Sequence, residues 1–238
     1  MKTPKYERIL LKISGEALAG ENKTGYDFRV MGAVCGAIRQ CVELGVEVGV
    51  VIGGGNFWRG VKNGEGYIER TRADRMGMLA TVMNCLAVAD ALEQAGVPAR
   101  VLTAAEMPTF GEYYTHERAM KHLRSGKVVL FGGGTGHPYF STDTGAVLRT
   151  AEIGADVILL AKNIDGVYSA DPAKDANAVK YDEVTYDEVL AKRLGVMDLT
   201  ATSLAMDNHI PVYVFALKDP DNILRAVAGE TVGTLVRE

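Results

Sequence analysis

The sequence predicts an α/β fold, a three-layer α/β/α sandwich built on a mainly parallel sheet. Short apolar runs alternate with stretches of helical apolar spacing along the whole chain, the pattern of strands joined by crossover helices. Two of those runs, residues 46–52 and 127–131, stop at glycine triplets, 53–55 and 132–134. No linker or low-complexity stretch interrupts the 238 residues, so a single domain over 1–238 is expected.

Taken in order, residues 9–13 form the first apolar strand, with Lys12 inside it and Ser14, Gly15 and Glu16 after it. A lysine in a buried strand is costly unless it meets an anion. Its alternatives are a functional cation at a strand end or an edge lysine that reaches solvent. Residues 20–25 are polar and bounded by glycines, which makes them a loop. Asp27 is placed to cap a helix to about Leu44, with Val30, Val34, Ile38 and Val42 on one face and Gly45 as its stop.

The strand 46–52 is rich in valine and leads into the first triplet, where the backbone has freedom to approach a ligand closely. Asn56 and Arg59, just beyond, offer an amide and a planar cation suited to phosphate. A polar glycine loop at 62–66 follows. From Asp74 to Ala95 a long helix carries apolar residues around most of its circumference, so it should pack on the sheet or on another subunit. Met76, Met78 and Met83 belong to that packing surface.

A strand at 99–102 and a helix at 115–124 precede the second glycine strand, which runs into the hydroxyl-rich stretch 135–142. Asp143 is then placed to cap a helix to about Ile153. A strand at 156–161, a turn-rich loop at 163–172 and helices at 186–194 and 199–208 come next. A strand at 211–215, a helix at 222–228 and a last strand at 233–236 complete the alternation.

A net charge of −4 gives no reason to expect nucleic-acid or membrane-surface binding, so any phosphate must be held by local cations and backbone N–H groups. Cys35, Cys41 and Cys85 have no CxxC spacing and read as core residues of a reducing compartment. No signal-type segment stands at the start, and no segment approaches membrane-spanning length. A soluble cytoplasmic protein is the expectation, under which the sequon at Asn22 is a chance match.

Familiar nucleotide motifs fail. Gly126-Lys127 precedes a strand and is followed by valine, which excludes a Walker A loop. Trp58 and His137 stand where GxGxxG needs its third glycine. His116-Glu117 has no second histidine at zinc-enzyme spacing, and no carboxylate cluster announces a metal site. What remains is an inventory for phosphoryl transfer, namely Lys12, Arg59, two glycine loops and the hydroxyls of 135–142.

Five stretches carry a family resemblance: 12–18 (KISGEAL), 51–56 (VIGGGN), 74–84 (DRMGMLATVMN), 135–143 (TGHPYFSTD) and 165–172 (DGVYSADP). Together they resemble the uridylate kinase branch of the amino acid kinase family, and the likeness runs from Arg8 to about Leu235. It implies transfer of the γ-phosphoryl group of ATP to UMP, with Mg²⁺ accompanying ATP. By that resemblance Lys12, Ile13, Ser14 and Gly15 hold ATP phosphates, with Gly55, Arg59, Asn163, Tyr168 and Asp171 also on the ATP side. Lys12 and Arg59 are the catalytic cations. Gly54, Asp74, Thr135, Gly136, His137, Pro138, Tyr139, Phe140, Ser141 and Thr142 surround UMP. Gly20, Glu21, Asn22, Lys23, Thr24 and Gly25 match a segment linked to GTP activation. UTP inhibition and a homohexamer built through the long helices are further implications, with residues from about 150 to 238 forming the ATP side.

Plainer readings stand beside these. Asp74 and Asp143 suit helix caps, Tyr168 suits a sheet edge, Asp171 before Pro172 suits a turn, and Lys162 after a strand suits solvent. An acetylglutamate or carbamate kinase, or a nucleotide-binding storage or regulatory protein on the same fold, are the rival functions.

Overall fold

A computed structural model describes residues 3–58, 66–175 and 177–238. The chain runs β1 (Arg8–Ile13), α1 (Gly15–Ala19), a 3₁₀ turn at Gly20–Asn22, α2 (Phe28–Glu43), β2 (Glu47–Ile52), α3 (Arg70–Gln94), β3 (Ala99–Thr103) and β4 (Glu112–Tyr113). It continues through α4 (His116–Arg124), β5 (Val128–Gly132), α5 (Thr142–Ile153), β6 (Val157–Lys162), β7 (Glu183–Thr185) and α6 (Tyr186–Ala191). The final elements are α7 (Leu199–Asp207), β8 (Val212–Ala216), α8 (Asp221–Val227) and β9 (Gly233–Arg237).

The described strands join one sheet in the order β4-β3-β5-β2-β1-β6-β8-β9-β7. Their ladders are parallel except that β9 runs antiparallel to β8. From β1, β2 continues the sheet to one side and β6 to the other. The carboxyl ends of these central strands therefore flank the crevice where ligands bind in open α/β sheets.

Strand alternation decides the two outer layers. Ile9, Leu11 and Ile13 of β1 face α2, α3 and α8, where they pack with Val34, Ile38, Val88, Leu92 and Ile223. Leu10 faces the opposite layer with Ala119, Leu123, Val147 and Ala201 of α4, α5 and α7. Burial of β1, β2, β5 and β6 on both faces explains why their sequences read as apolar runs and not as alternating ones.

The helix starts differ from the expected ones in two places that matter. Asp27 caps α2 as expected, accepting from Arg29 N at 2.9 Å. The long helix α3, however, begins at Arg70, so Asp74 lies within it and is not its cap. Ser141, not Asp143, caps α5: its Oγ accepts from Asp143 N at 3.0 Å and Thr144 N at 3.1 Å. In both cases the carboxylate is free for another partner. The helix expected over 186–194 ends at Ala191, with Arg193 left-handed at φ 51°. The short elements α1, β4 and β7 carry too few residues to show a period.

By length and composition α3 is apolar enough to cross a bilayer, which corrects the expectation that no segment approaches that length. Its buried Cys85, Val88 and Leu92 nevertheless belong to the core against the sheet. The three cysteines are buried and unpaired, and burial pushes the Cys35 thiol up to about 11 and the Cys41 and Cys85 thiols to about 12.

Candidate active site

The same alternation that buries Leu10 puts Lys12 on the α5 side of the sheet. There its ammonium meets Asp143 Oδ1 at 2.5 Å, with Lys12 only 8% exposed. The edge and snorkelling readings of Lys12 therefore fail: it is a central-strand lysine in an ion pair. Asp143 Oδ1 has no hydrogen bond of good geometry, so it answers the charge and not a donor direction. Lys162, at the end of β6, shares this face. It donates to the carbonyls of Gly195 (3.4 Å) and Val196, which excludes a simply solvated lysine. Burial lowers its pKa below the ordinary lysine value; Asp143 opposes that shift and Lys12 adds to it. Two lysines and one carboxylate thus stand together at the carboxyl ends of adjacent strands.

The first glycine loop follows β2, and Gly53 N–H extends the ladder to the Ile13 carbonyl at 2.9 Å. Gly54 is required by close packing: a Cβ there would stand 2.7 Å from the Gly77 carbonyl of α3 and 2.9 Å from Ala80. In the second loop, Gly133 N–H donates to Thr81 Oγ1 at 2.8 Å, so α3 holds both triplets. Between them lies a cavity of about 150 Å³ lined by Gly54, Trp58, Asp74, Gly77, Met78, Thr81, Gly134, Thr135, Phe140, Ser141 and Thr142.

Asp74 Oδ2 accepts from Arg70 Nε at 2.8 Å and from the Tyr139 N–H at 2.9 Å. The second bond ties α3 to the 135–142 segment across the cavity mouth. Tyr139 adopts φ 72°, which a tyrosine rarely does, and the Arg70 guanidinium lies over its ring at 5.0 Å. His137 and Phe140 are exposed, while Thr135, Gly136 and Pro138 are partly covered. Thr135 Oγ1 also accepts from His137 N at 3.3 Å, which tightens this turn.

Of the residues expected on the ATP side, Tyr168, Asp171 and Asn163 divide between two recesses. Tyr168 and Asp171 line one of about 380 Å³ with Lys192, Arg193 and Gly195. Tyr168 OH donates to Asp165 Oδ1 at 2.8 Å, and this bond raises the Tyr168 pKa and lowers that of Asp165. Asp171 Oδ1 accepts from Ala173 N at 3.0 Å, so the turn reading holds for it whatever else it binds. Asn163 lines a separate recess of about 840 Å³ with Glu16, Gly20, Glu21, Asp27 and Lys218. The 20–25 stretch is a 3₁₀ turn followed by left-handed Lys23 (φ 63°) and Gly25 (φ 71°). Ser14 caps α1 through Ala17 N at 3.2 Å, and Gly55 packs on the Glu16 side chain. Arg59 lies outside the described residues.

Asn56, expected as a phosphate donor, is instead buried and spends its amide inside the protein on Gly25 and Asn84. Sequence reasoning also passes over Asp198. It caps α7 through Ala201 N at 3.0 Å and accepts from the Ser141 hydroxyl that caps α5. Its position directly before an apolar helix is the available signal. Among the described residues no group of three or more His, Cys, Asp or Glu could hold a metal ion. Asp143, paired with Lys12, does not form a protein cage for Mg²⁺.

A mainly parallel sheet with cations and glycine loops gathered at its central strand ends defines a phosphate-handling α/β protein. Residues 7–216 match the amino acid kinase family, and the chain belongs to that family. Three solved structures resemble it over nearly its whole length. A UMP kinase from Bacillus anthracis is 38% identical with a TM-score of 0.94, covering 98% of this chain and 96% of the other. A UMP kinase from Ureaplasma parvum is 35% identical with a TM-score of 0.93, covering 98% and 100%. A uridylate kinase from Archaeoglobus fulgidus, 30% identical with a TM-score of 0.75, covers 96% and 99%.

Proposed function

We propose that this chain is a UMP kinase that transfers the γ-phosphoryl group of MgATP to UMP, giving UDP and ADP for pyrimidine nucleotide synthesis in the cytoplasm. The observation that carries the reading is the buried Lys12–Asp143 pair at the end of β1, beside the cavity that Asp74 and the 135–142 segment enclose. The likeness to the Bacillus and Ureaplasma enzymes supports the choice of acceptor.

In this reading the γ-phosphorus breaks its bond to the bridging oxygen of ADP and forms one to a phosphate oxygen of UMP. That oxygen is already ionised at neutral pH, so the protein needs no general base. Its work is to neutralise and align charge. Lys12 answers the charge on the transferring group, with Asp143 orienting its ammonium and Lys162 adding a second positive charge nearby. Arg59 supplies a planar cation from the first glycine loop. Asp74 accepts from a ribose hydroxyl, and the hydroxyls and backbone of Thr135 to Thr142 read the uracil edge. Ile13, Ser14, Gly15, Gly55, Asn163, Tyr168 and Asp171 hold ATP. Magnesium enters with the nucleotide, coordinated by phosphate oxygens and water.

The N-terminal part of the single domain is then mainly the UMP side and residues from about 150 to 238 mainly the ATP side. GTP activates through Gly20–Gly25, and UTP inhibits. A homohexamer buries the exposed stripe of Met76, Leu79, Met83 and Leu86, whose spacing keeps one face of α3 apolar. The deciding experiment is ADP release from MgATP against UMP, CMP, dUMP, acetylglutamate and carbamate, each with and without GTP. Turnover confined to UMP is the expected result. Turnover with an acid acceptor alone overturns the substrate, and none from nucleotide-binding protein points to a storage or regulatory role.

A further inference from the structure

A buried cyclic pair of side-chain amides lies where the β1 turn, the first glycine loop, the 20–25 turn and α3 meet. Asn84, fully buried on α3, donates to the Gly53 carbonyl at 2.7 Å and to Asn56 Oδ1 at 2.8 Å. Asn56, 1% exposed, donates to Asn84 Oδ1 at 3.0 Å and to the Gly25 carbonyl at 2.9 Å. Each amide thus uses both of its N–H groups. Turning either one over would set carbonyl against carbonyl, so the pair has a single orientation. Gly25 N–H returns a bond to the Asn56 carbonyl at 3.2 Å. Gly15 rests on the same pair: a Cβ there would stand 2.4 Å from Asn56 Oδ1 and 2.3 Å from the Gly53 carbonyl.

We propose that Asn56 and Asn84 are positioning residues for phosphoryl transfer, whose amide pair fixes the spacing between the Gly15 turn and the 53–55 loop. The inference rests on the kinase reading above, in which those two loops hold the donor and acceptor phosphates. Both asparagines are buried, and both act through the backbone they hold. Truncating Asn84 strips donors from the Gly53 carbonyl and from Asn56 Oδ1 in a buried site, which frees the loop to shift. In-line transfer is sensitive to such shifts, a displacement of about 1 Å costing on the order of 100-fold in rate.

The test compares the parent enzyme with Asn84→Ala, Asn56→Ala and Asn84→Asp at a temperature where each is folded. The readouts are kcat, calorimetric binding of UMP and of a non-hydrolysable ATP analogue, and amide hydrogen exchange over residues 13–16 and 53–57. For the alanine variants the expected result is a kcat lower by roughly 10–100-fold with little change in either affinity, together with faster exchange at 53–57. In Asn84→Asp the carboxyl faces two acceptors and serves only when protonated. Its kcat therefore falls as pH rises, along a limb that the parent lacks. An unchanged kcat in folded variants with reduced Tm, or a flat profile for Asn84→Asp, makes the pair a stabiliser only and overturns the proposal. A parent enzyme inert toward UMP would instead overturn the kinase reading, and the exchange data would still show whether the pair holds the loops.

Discussion

Lys12→Met removes the buried ammonium while keeping most of the side chain's volume, so its effects separate charge from packing. Two magnitudes follow from the Lys12–Asp143 contact of 2.5 Å. Losing one partner of a buried ion pair costs about 3–5 kcal/mol, because the other charge is left uncompensated. Here the lower end applies, since the Asp143 side chain keeps 17% exposure and Lys162 remains close by. In the proposed kinase reading, turnover should lose a charge aimed at the transferring group, worth roughly 10²–10³ in kcat. The assay is coupled ADP formation at saturating UMP, with UMP affinity measured by calorimetry and stability by urea unfolding. Affinity for UMP should change little. The double variant Lys12→Met/Asp143→Asn should regain most of the lost stability, since neither charge is then left alone, but none of the turnover. Unchanged kcat in the single variant, or recovered kcat in the double, would refute a catalytic Lys12.

Other perturbations probe the rest of the site. Asp74→Asn weakens the bonds from Arg70 and Tyr139 N–H and should raise the KM for UMP by about 10–100-fold, the worth of a charge-assisted hydrogen bond; an effect confined to ATP would overturn the site map. Ser141→Ala removes the α5 cap and should cost about 1 kcal/mol in thermal or urea unfolding. Lys162 has a folded-state pKa below its unfolded one, so the unfolded chain binds more protons between the two values. Its contribution to stability therefore rises with pH across that window. Lys162→Met should stabilise at neutral pH and flatten the alkaline rise, and identical pH–stability curves would contradict the burial argument. The three thiols, raised by burial, should resist Ellman's reagent in the native protein at mildly alkaline pH and react only on unfolding; rapid native labelling would contradict their placement.

Much of this architecture is legible in the chain because its signals are local. The valine-rich run before Gly53, the Asp27 cap and the glycine stops each act within one turn or one strand. Their alternation is enough to require a parallel sheet covered on both faces. The short strands β4 and β7 leave no trace, since two or three residues show no period and their edges exist only by pairing with distant partners. The carboxylates of the site resemble caps for a related reason. A cap is a local explanation for an aspartate near a helix start, whereas Asp74 and Asp143 each have a partner on another element, Tyr139 in one case and Lys12 in the other. Asn56 misleads in the opposite sense: its neighbours suggest phosphate, and only the approach of α3 turns its amide inward.

By itself the sequence determined the order and kind of the main elements, the two glycine loops and the presence of a lysine in a strand too apolar to tolerate it unpaired. The tertiary structure alone decided which face that lysine took and which anion met it. It also decided that Lys162 joined it and that one helix held both glycine loops. The division has a physical cause. Periodicity and capping are written between residues a few positions apart, while charge pairing and loop spacing depend on strands and helices brought together across the sheet.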